Sequence, residues 1–342
     1  MSESPDFPEG LYLSEIRKTA ERIAPHVLST PFFRYQRDQG TLQLKFEFLQ
    51  KSGSFKARGA INSALLLNQN ERECGVTAVS AGNHAIAVAY AAKTLGINAK
   101  VVMLGTANPF RIKRCREQGA EVVLAGTKDA FEVMQRISET EGRAIIHPFE
   151  GIGTMQGTAT LGLEIAESFD QFDILLVAVG GGGLISGVGA AVKQVHPEVR
   201  LIGIEPEGAS GMTESLKLGQ PLEQVEVDTI ADSIGAPLHA PVSFGICRQV
   251  IDKMVLVSDD SICAAMAFAA DELKLALEPA GCAVLAALAG PLRDECAGQS
   301  VAAILCGSNI DTESWGELVS RGRKYQDASE GAGFDSHRRS IR

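Results

Sequence analysis

Short apolar runs that lead into longer helical patterns constrain the fold of this chain more than any other feature. The runs are VTAVS (76–80), AKVVML (99–104), AEVVLAG (120–126), DILLVAV (173–179), VRLIGIE (199–205) and VAAILCG (301–307). A segment with helical periodicity follows each of the first four. Unbroken apolar strands that alternate with helices are typical of parallel sheets covered on both faces. The predicted fold class is therefore α/β.

The composition allows a large core and restricts the partners. The chain has 342 residues, of which 45% are hydrophobic and 22% are charged, which is enough for two globular domains. Its formal net charge of -10 disfavours nucleic acid and anionic membranes as partners. A small anionic substrate remains compatible with that charge, because a pocket can be locally positive.

The sequence also bears on the compartment. The first residues, MSESPDFPEG, are acidic and lack the apolar centre of a signal peptide. No uninterrupted apolar stretch reaches the length of a membrane span. The seven cysteines are scattered and form no CxxC motif, so a disulfide framework or a zinc site is not expected. The predicted location is the cytoplasm, without contact to a membrane.

The first motif with chemical content is VGGGGLISG (179–187), which follows a buried strand and opens a helix. Consecutive glycines leave backbone N–H groups unobstructed, and a helix N-terminus favours an anion, so the motif predicts a phosphate site. It lacks both the GK[ST] of a nucleotide loop and the GxGxxG context of a dinucleotide site. A tight turn that needs glycine only for steric reasons is the alternative.

The second motif, SAGNHA (80–85), lies at another strand-to-helix junction. It places the side chains of Ser80, Asn83 and His84 beside the free amides of a helix start, which favours an anion such as an α-carboxylate. Ordinary helix capping by serine or asparagine is the alternative.

The third motif is SGSFKARGA (52–60), in which Lys56 follows Phe55. A lysine used as a covalent nucleophile must be partly desolvated so that its amine is not held as ammonium, and Phe55 can contribute to that environment. Taken alone, Lys56 could instead be a phosphate contact or an exposed charge, and the motif by itself favours the exposed charge because most lysines are exposed. Together, the three motifs supply what an amino-acid enzyme that uses pyridoxal phosphate requires: an activatable lysine, a phosphate site and a carboxylate site.

The ordered set of motifs resembles the fold-type II pyridoxal-phosphate enzymes, and within them the serine/threonine dehydratases (threonine ammonia-lyases). The resemblance covers about residues 10–320 and is carried by LKFEFLQKSGSFKARGA, SAGNHA, GAEVVL, HPFEG, VGGGGLISG, LEPAG and CGSNID. It implies a two-lobed fold like that of the tryptophan synthase β subunit. The expected large cofactor-binding domain is 1–72 with 149–320, the small substrate-closing domain is 73–148, and 321–342 is a polar tail. A homodimer is also expected.

The resemblance assigns roles to individual residues. Lys56 would link covalently to the cofactor and act as the catalytic base, and Phe55 would pack against the cofactor ring. Asn83 would donate to the 3′ oxygen, and Cys306 would face the pyridine nitrogen. The phosphate would be held by the backbone of Gly180, Gly181, Gly182, Gly183 and Leu184. The substrate carboxylate would be received by Ser80, Ala81, Gly82, Asn83 and His84.

Two departures from the family pattern affect these expectations. Some members bind a divalent cation, and Glu205 and Ala209 match that pattern, but Gly211 stands where an acidic ligand is expected. With one carboxylate missing, the affinity for a hard cation should fall, and Glu205 can alternatively cap a strand. Ser233 stands where many dehydratases have glycine, and it is predicted to narrow or polarise the pocket.

The implied reaction is a β-elimination that converts L-threonine and/or L-serine into a 2-oxo acid and ammonia. One alternative is a dehydratase for another β-hydroxy amino acid, such as hydroxyaspartate or phenylserine. Another is a β-replacement synthase that uses an activated serine. A non-catalytic pyridoxal-phosphate carrier is disfavoured because the lysine, the Asn83 loop and the glycine run are all intact.

Overall fold

The computed structural model describes residues 7–36, 40–126, 129–169 and 171–328. The helices are α1 (Leu13–Ile23), α2 (Lys56–Leu65), α3 (Gln69–Cys74), α4 (Asn83–Leu95), α5 (Pro109–Glu117), α6 (Ala130–Glu141), α7 (Ile152–Ser168), α8 (Gly183–Val195), α9 (Gly211–Leu218), α10 (Pro241–Val250), α11 (Asp259–Phe268), α12 (Pro279–Ala289) and α13 (Thr312–Ala328). The strands are β1 (Phe32–Gln36), β2 (Thr41–Lys45), β3 (Val76–Val79), β4 (Ala99–Leu104), β5 (Glu121–Ala125), β6 (Ala144–Ile145), β7 (Ile174–Ala178), β8 (Arg200–Pro206), β9 (Lys253–Val257) and β10 (Val301–Ile304).

The larger sheet has six strands in the order β1-β2-β10-β7-β8-β9. Only the β1–β2 pair is antiparallel, with Phe32 opposite Lys45, and the other neighbours are parallel. Every residue of β7 and β10 is buried, as expected for central strands of a sheet covered on both faces. The carboxyl ends of its parallel strands lie at one edge, which is where sheets of this kind bind ligands.

The smaller sheet has four parallel strands in the order β5-β4-β3-β6. Its core is formed by α4 and the strands, with Ala85 and Val101 fully buried, and it also includes Ile61 and Ala64 of α2. Helix α2 packs against both α4 and α7. The contact with α7 is close because a Cβ on Gly157 would lie 2.4 Å from the carbonyl oxygen of Arg58. Helix α2 therefore lies between the two cores.

The α/β fold class is confirmed, and all six predicted runs form strands. Strands β1, β2, β6 and β9 were not predicted. The sequence TLQLK of β2 alternates strictly between polar and apolar residues, which is a pattern that indicates a strand. By contrast, FFRYQ of β1 does not alternate, and β6 is only two residues long. Patterns of this kind carry little strand signal, because pairing with neighbours rather than local propensity stabilises them.

The predicted polar tail is helical in its first part, since α13 continues to Ala328. The rest of the tail, 329–342, lies outside the described residues. The division into domains at 73 and 148 stays a prediction, and the second core draws residues from both sides of position 73. No helix within the described ranges is both long and apolar enough to cross a membrane.

Candidate active site

Lys56 opens helix α2 beside the carboxyl end of β10. The backbone N–H of Phe55 donates to the carbonyl oxygen of Cys306 at 3.1 Å, and Ser54 forms a β-bridge with Gly307. These contacts fix the segment before Lys56 against the end of a central strand, so the lysine is held at the ligand-binding edge of the larger sheet.

The amine of Lys56 is desolvated. Its Nζ atom donates to the carbonyl oxygen of Pro148 at 2.5 Å and lies 5.1 Å from the centroid of the Phe55 ring. The side chain keeps some exposure, but the atoms packed around the amine disfavour its charged form and lower its pKa to about 8. A lysine in this state is a competent nucleophile and base near neutral pH.

The glycine run lies at the same edge, between β7 and α8. Within the described ranges, no protein acceptor receives a hydrogen bond from the backbone N–H groups of 180–184. Gly182 has φ +88 and so adopts a left-handed conformation that favours glycine. A Cβ on Gly181 would lie 2.3 Å from the Phe149 ring. Because Phe149 follows Pro148, the glycine run and the Lys56 amine contact the same short segment.

The Asn83 loop follows β3 and opens α4. The N–H of Gly82 donates to Oγ of Ser80 at 3.1 Å. The N–H groups of Ala81, Asn83 and His84 donate to no acceptor in the part of the chain that the structure describes. Several unpaired N–H groups at a helix start favour an anion, which is compatible with the predicted carboxylate site.

The side-chain amide of Asn83 is oriented by buried neighbours. Its Nδ2 atom donates to Oε1 of Glu278 at 2.5 Å, and its Oδ1 atom accepts from Nδ2 of Asn309 at 2.7 Å. The same Asn309 nitrogen lies 2.8 Å from the carbonyl oxygen of Ser52, in the Lys56 segment. Asn309 therefore links the Asn83 loop with the lysine segment. Nδ2 of Asn83 also donates to Oγ of Ser233 at 3.3 Å, so both protons of this amide have protein acceptors. The longer bond, to Ser233, is the one that an oxygen of a ligand would replace.

The imidazole of His84 does not present a proton to an anion. Its Nε2 atom lies 2.7 Å from the carbonyl oxygen of Ile146, which can only accept, so the proton is on Nε2. Burial, with the nearby charge of Lys56, lowers the pKa of His84 to about 3, and the ring is neutral. Its Nδ1 atom, without a partner among the described residues, is an acceptor. Any contribution of His84 to a carboxylate site comes from its backbone N–H.

Cys306 is buried at the end of β10, with 3% of its surface exposed. Burial and, secondarily, the nearby Glu278 raise the pKa of its thiol. The side chain is therefore a neutral group. A neutral partner does not force protonation of a pyridine nitrogen, unlike a carboxylate.

A buried ionic group lies beside Asn83 and was not predicted from the sequence. Arg111 of α5 is paired with Asp232 at 2.5 Å, and its Nη2 atom lies 3.6 Å from Oε2 of Glu278. Nη2 also donates to Oγ of Ser233 at 3.3 Å, and Nε donates to the carbonyl oxygen of Asn309. Arg111 thereby joins the smaller sheet to the larger one. The motif LEPAG contains Glu278, but its sequence gave no indication of this role.

The cation site considered at Glu205 stays a prediction, and the Glu205 carboxylate already has hydrogen-bond partners within the protein. Both carboxylate oxygens of Glu205 accept hydrogen bonds from the start of α9, at Met212 N, Thr213 N and Thr213 Oγ1. A Cβ on Gly211 would lie 2.7 Å from Val225, so no acidic side chain fits there without a shift. Burial raises the pKa of Glu205 to about 7, which weakens it as a ligand. Ala209 contributes no carboxylate, and no cluster of three or more potential ligands occurs in the described part of the chain.

The remaining groups fit pyridoxal phosphate. The unpaired N–H groups of 180–184 at the start of α8 match a phosphate. The desolvated amine of Lys56 matches the aldehyde. Asn83 can donate to an oxygen substituent in place of Ser233, and Cys306 offers a neutral thiol for the ring nitrogen. The roles of these residues toward the cofactor stay predictions.

The glycine run gives a direct test of the phosphate site. In a Gly181→Ala variant, the new Cβ would overlap the Phe149 ring, and the loop must move away from its present position. Losing one charge-assisted hydrogen bond should weaken cofactor affinity by about tenfold to a hundredfold. Titration of the cofactor-free protein with pyridoxal phosphate measures this change. Gly316→Ala is the control, because a Cβ there meets no atom within 4 Å; equal affinity in both variants would contradict the assignment.

Comparison with known proteins places these features in a family. The family model described as "Pyridoxal-phosphate dependent enzyme" matches residues 23–307. The chain is 46% identical over 315 residues to phenylserine dehydratase from Ralstonia pickettii, covering 91% of this chain and 97% of that protein. It is 40% identical over 286 residues to L-threonine ammonia-lyase from Thermotoga maritima, covering 83% and 71%. The solved structure of maize serine racemase matches with a TM-score of 0.82 and 31% identity, covering 92% of this chain and 98% of that one.

These matches confirm the predicted resemblance, including the fold-type II architecture. They extend over most of the chain and include Lys56, the Asn83 loop, the glycine run and Cys306. The chain belongs to the pyridoxal-phosphate dependent enzyme family, and pyridoxal phosphate is its cofactor.

Proposed function

We propose that this enzyme is an ammonia-lyase that dehydrates and deaminates L-threonine and/or L-serine, giving a 2-oxo acid and ammonia. The observation that carries the proposal is the Lys56 amine, whose pKa burial lowers to about 8 and which is held at the edge of the sheet that also presents the glycine run. The 40% identity to an L-threonine ammonia-lyase supports this choice of reaction.

The residues of the candidate site have separate roles in the proposed reaction. When bound, pyridoxal phosphate supplies the electron sink that makes the α-proton of an amino acid removable. The N–H groups of Ala81, Asn83 and His84 would bind the substrate carboxylate and orient the α-carbon toward Lys56. Lys56 would take the α-proton as a general base. The β-hydroxyl would leave as water with the proton that Lys56 has taken from the α-carbon. The released enamine then takes up one water and hydrolyses to the 2-oxo acid and ammonia.

Cys306 favours elimination among the possible outcomes. Its thiol is neutral because burial raises its pKa, so it does not stabilise a protonated ring nitrogen as a carboxylate would. Negative charge at the α-carbon is then less persistent, and rapid loss of a β-leaving group competes well against transamination.

A second substrate has specific support. The relative named phenylserine dehydratase is 46% identical to this chain over almost its full length. Phenylserine carries the same β-hydroxyl with an aromatic substituent in place of hydrogen or methyl, so the proposed roles of Lys56 and the Asn83 loop are unchanged.

One panel assay tests the proposal and distinguishes the candidates. The cofactor-loaded enzyme is incubated with L-threonine, L-serine, L-threo-phenylserine, hydroxyaspartate and O-acetylserine with a thiol, and 2-oxo acid and ammonia are measured. Equal amounts of the two products from threonine or serine support the proposal. Products from phenylserine alone identify the second candidate. Thioether formation without ammonia would indicate β-replacement, and no turnover of any compound would contradict an enzymatic role for these residues.

The pKa of Lys56 predicts how the cofactor-free protein takes up pyridoxal phosphate. Covalent attachment needs the neutral amine, and with a pKa of about 8 roughly one in ten amines is neutral at pH 7. The attachment rate should rise about tenfold per pH unit below pH 8 and level off above it. The growth of the cofactor absorbance after mixing, followed from pH 6.5 to 9.5, measures the rate. A rate that still rises tenfold per unit at pH 9.5 would indicate an ordinary, solvated lysine.

We further propose a homodimer in the cytoplasm. The family resemblance supports the dimer, and seven scattered cysteines without a CxxC motif are compatible with a reducing compartment such as the cytoplasm. Sedimentation velocity of the cofactor-loaded protein measures the assembly, and a single monomer peak would contradict it.

A further inference from the structure

We propose that His147 is a positioning residue whose imidazole holds the turn 147–150, and that this turn sets Lys56 and the glycine run in a fixed relation. The turn belongs to the motif HPFEG. The inference rests on the proposed function only in that Lys56 is the residue that links to the cofactor.

The imidazole of His147 closes the turn by accepting two backbone hydrogen bonds. Its Nδ1 atom accepts from the N–H of Glu150 at 3.0 Å and lies 3.4 Å from the N–H of Phe149. The Phe149 ring stands edge-on to the imidazole, with 4.7 Å between the ring centroids. The carbonyl oxygen of His147 accepts from Oγ1 of Thr154 in α7 at 3.3 Å. One side chain thus ties the turn together, while a helix fixes its start.

The two residues after His147 touch the two halves of the candidate site. The carbonyl oxygen of Pro148 receives the hydrogen bond from Nζ of Lys56 at 2.5 Å. Phe149, 5% exposed, packs against the glycine run, because Cβ atoms on Gly181 and Gly183 would lie 2.3 Å and 2.7 Å from it. Two consecutive residues of one turn, Pro148 and Phe149, therefore set the distance from the Lys56 amine to the glycine run.

The last residue of the turn supports the glycine run from a second direction. The carboxylate of Glu150 accepts from the N–H groups of Val242 and Ser243, both at 2.9 Å, at the start of α10. From the same helix, Sγ of Cys247 lies 3.7 Å from the carbonyl oxygen of Gly182. A turn that loses its shape would disturb both contacts with the glycine run.

His147 can hold the turn because the lone pair of its Nδ1 atom remains available as a hydrogen-bond acceptor. An imidazole protonated on both nitrogens has no acceptor. Burial, with a smaller contribution from the charge of Lys56, lowers the pKa of His147 to about 4. The ring is therefore neutral near pH 7, and both backbone N–H groups keep their acceptor.

Two variants of His147 test the proposal. His147→Asn keeps an acceptor, because an asparagine side chain bonds to backbone N–H groups two or three residues on. His147→Leu has a comparable size and no acceptor. Both cofactor-free proteins are titrated with pyridoxal phosphate, and the rate of covalent attachment to Lys56 is measured well below the thermal midpoint of each. Neither readout depends on substrate turnover.

We expect His147→Leu to weaken cofactor affinity and slow attachment by about tenfold each, and His147→Asn to recover most of both. Equal losses in the two variants would overturn the proposal, and so would unchanged values in His147→Leu. A merely structural role would lower both thermal midpoints and leave the attachment rate of the folded protein unchanged.

A further variant keeps the test decisive if His147→Leu does not fold. Phe149→Leu leaves the acceptor of His147 in place and removes the ring that packs on Gly181. It should weaken cofactor affinity several-fold and leave the pH profile of attachment to Lys56 unchanged, because the Pro148 carbonyl stays in position. Unchanged affinity would overturn the proposed link between turn and glycine run. A wild-type enzyme that binds the cofactor but dehydrates no amino acid would refute only the proposed function.

Discussion

Replacing Lys56 with alanine should reduce kcat/KM for the best substrate of the panel by at least about a thousandfold. General-base catalysis contributes roughly a hundredfold to ten-thousandfold, and the variant also loses its covalent attachment to the cofactor. The glycine run is unaltered, so the variant should still bind pyridoxal phosphate without forming a covalent bond. Steady-state kinetics measures the first effect, and mass analysis after borohydride reduction measures the second.

The matched control for this prediction is Lys51→Ala. Lys51 is exposed and lies in the same segment, five positions before Lys56. Its removal should leave both turnover and covalent attachment unchanged. If Lys56→Ala turned over threonine or serine within tenfold of the wild-type rate, Lys56 would not be the catalytic base.

Replacing Arg58 with leucine should lower the free energy of unfolding by about 3–5 kcal/mol. Arg58 is 1% exposed, two residues after Lys56 in α2. Its guanidinium donates to two carboxylates, the buried Glu47 (2.5 Å from Nε) and the partly buried Glu164 (2.7 Å from Nη1). Burial alone would lower the pKa of Arg58, but the two carboxylates outweigh it and raise the pKa. Without the arginine, Glu47 would remain as a fully buried charge.

Denaturant unfolding of the cofactor-free protein measures this effect. Arg116→Leu, on the exposed side of α5, is the control and should change the unfolding free energy by no more than about 0.5 kcal/mol. The double variant Arg58→Leu/Glu47→Leu should recover part of the loss, since it removes the uncompensated carboxylate. If the Arg58→Leu protein were as stable as the wild type, the prediction would be wrong. The attraction between Arg58 and the two carboxylates would then only balance the cost of removing these charges from water.

The groups that bind or react were predictable from sequence because each is carried by a few neighbouring residues. The motif VGGGGLISG combines a strand end, unobstructed N–H groups and a helix start within nine residues. In the described ranges, the N–H groups of 180–184 have no protein acceptor. The buried runs that became β7 and β10 were equally evident, because a strand covered on both faces has a continuous apolar sequence.

The groups that position the site were not predictable, because their partners are remote in the chain. Arg111 meets Asp232 across 121 positions, and Asn83 meets Glu278 across 195. Nothing in the neighbouring sequence marks such residues as buried, since charged residues are mostly exposed. Glu205 shows the same limit: it matches a cation-ligand pattern, but only the fold shows that its carboxylate accepts hydrogen bonds from the start of α9.

The burial of α2 has a consequence for cofactor capture. Seven of its ten residues are buried, and it packs on α4 on one side and on α7 on the other. The backbone that carries Lys56 is therefore fully ordered before any ligand arrives. Binding then has to restrict only the torsions of one lysine side chain, which is a small loss of entropy compared with ordering a loop. The attachment point of the cofactor is preorganised by folding itself.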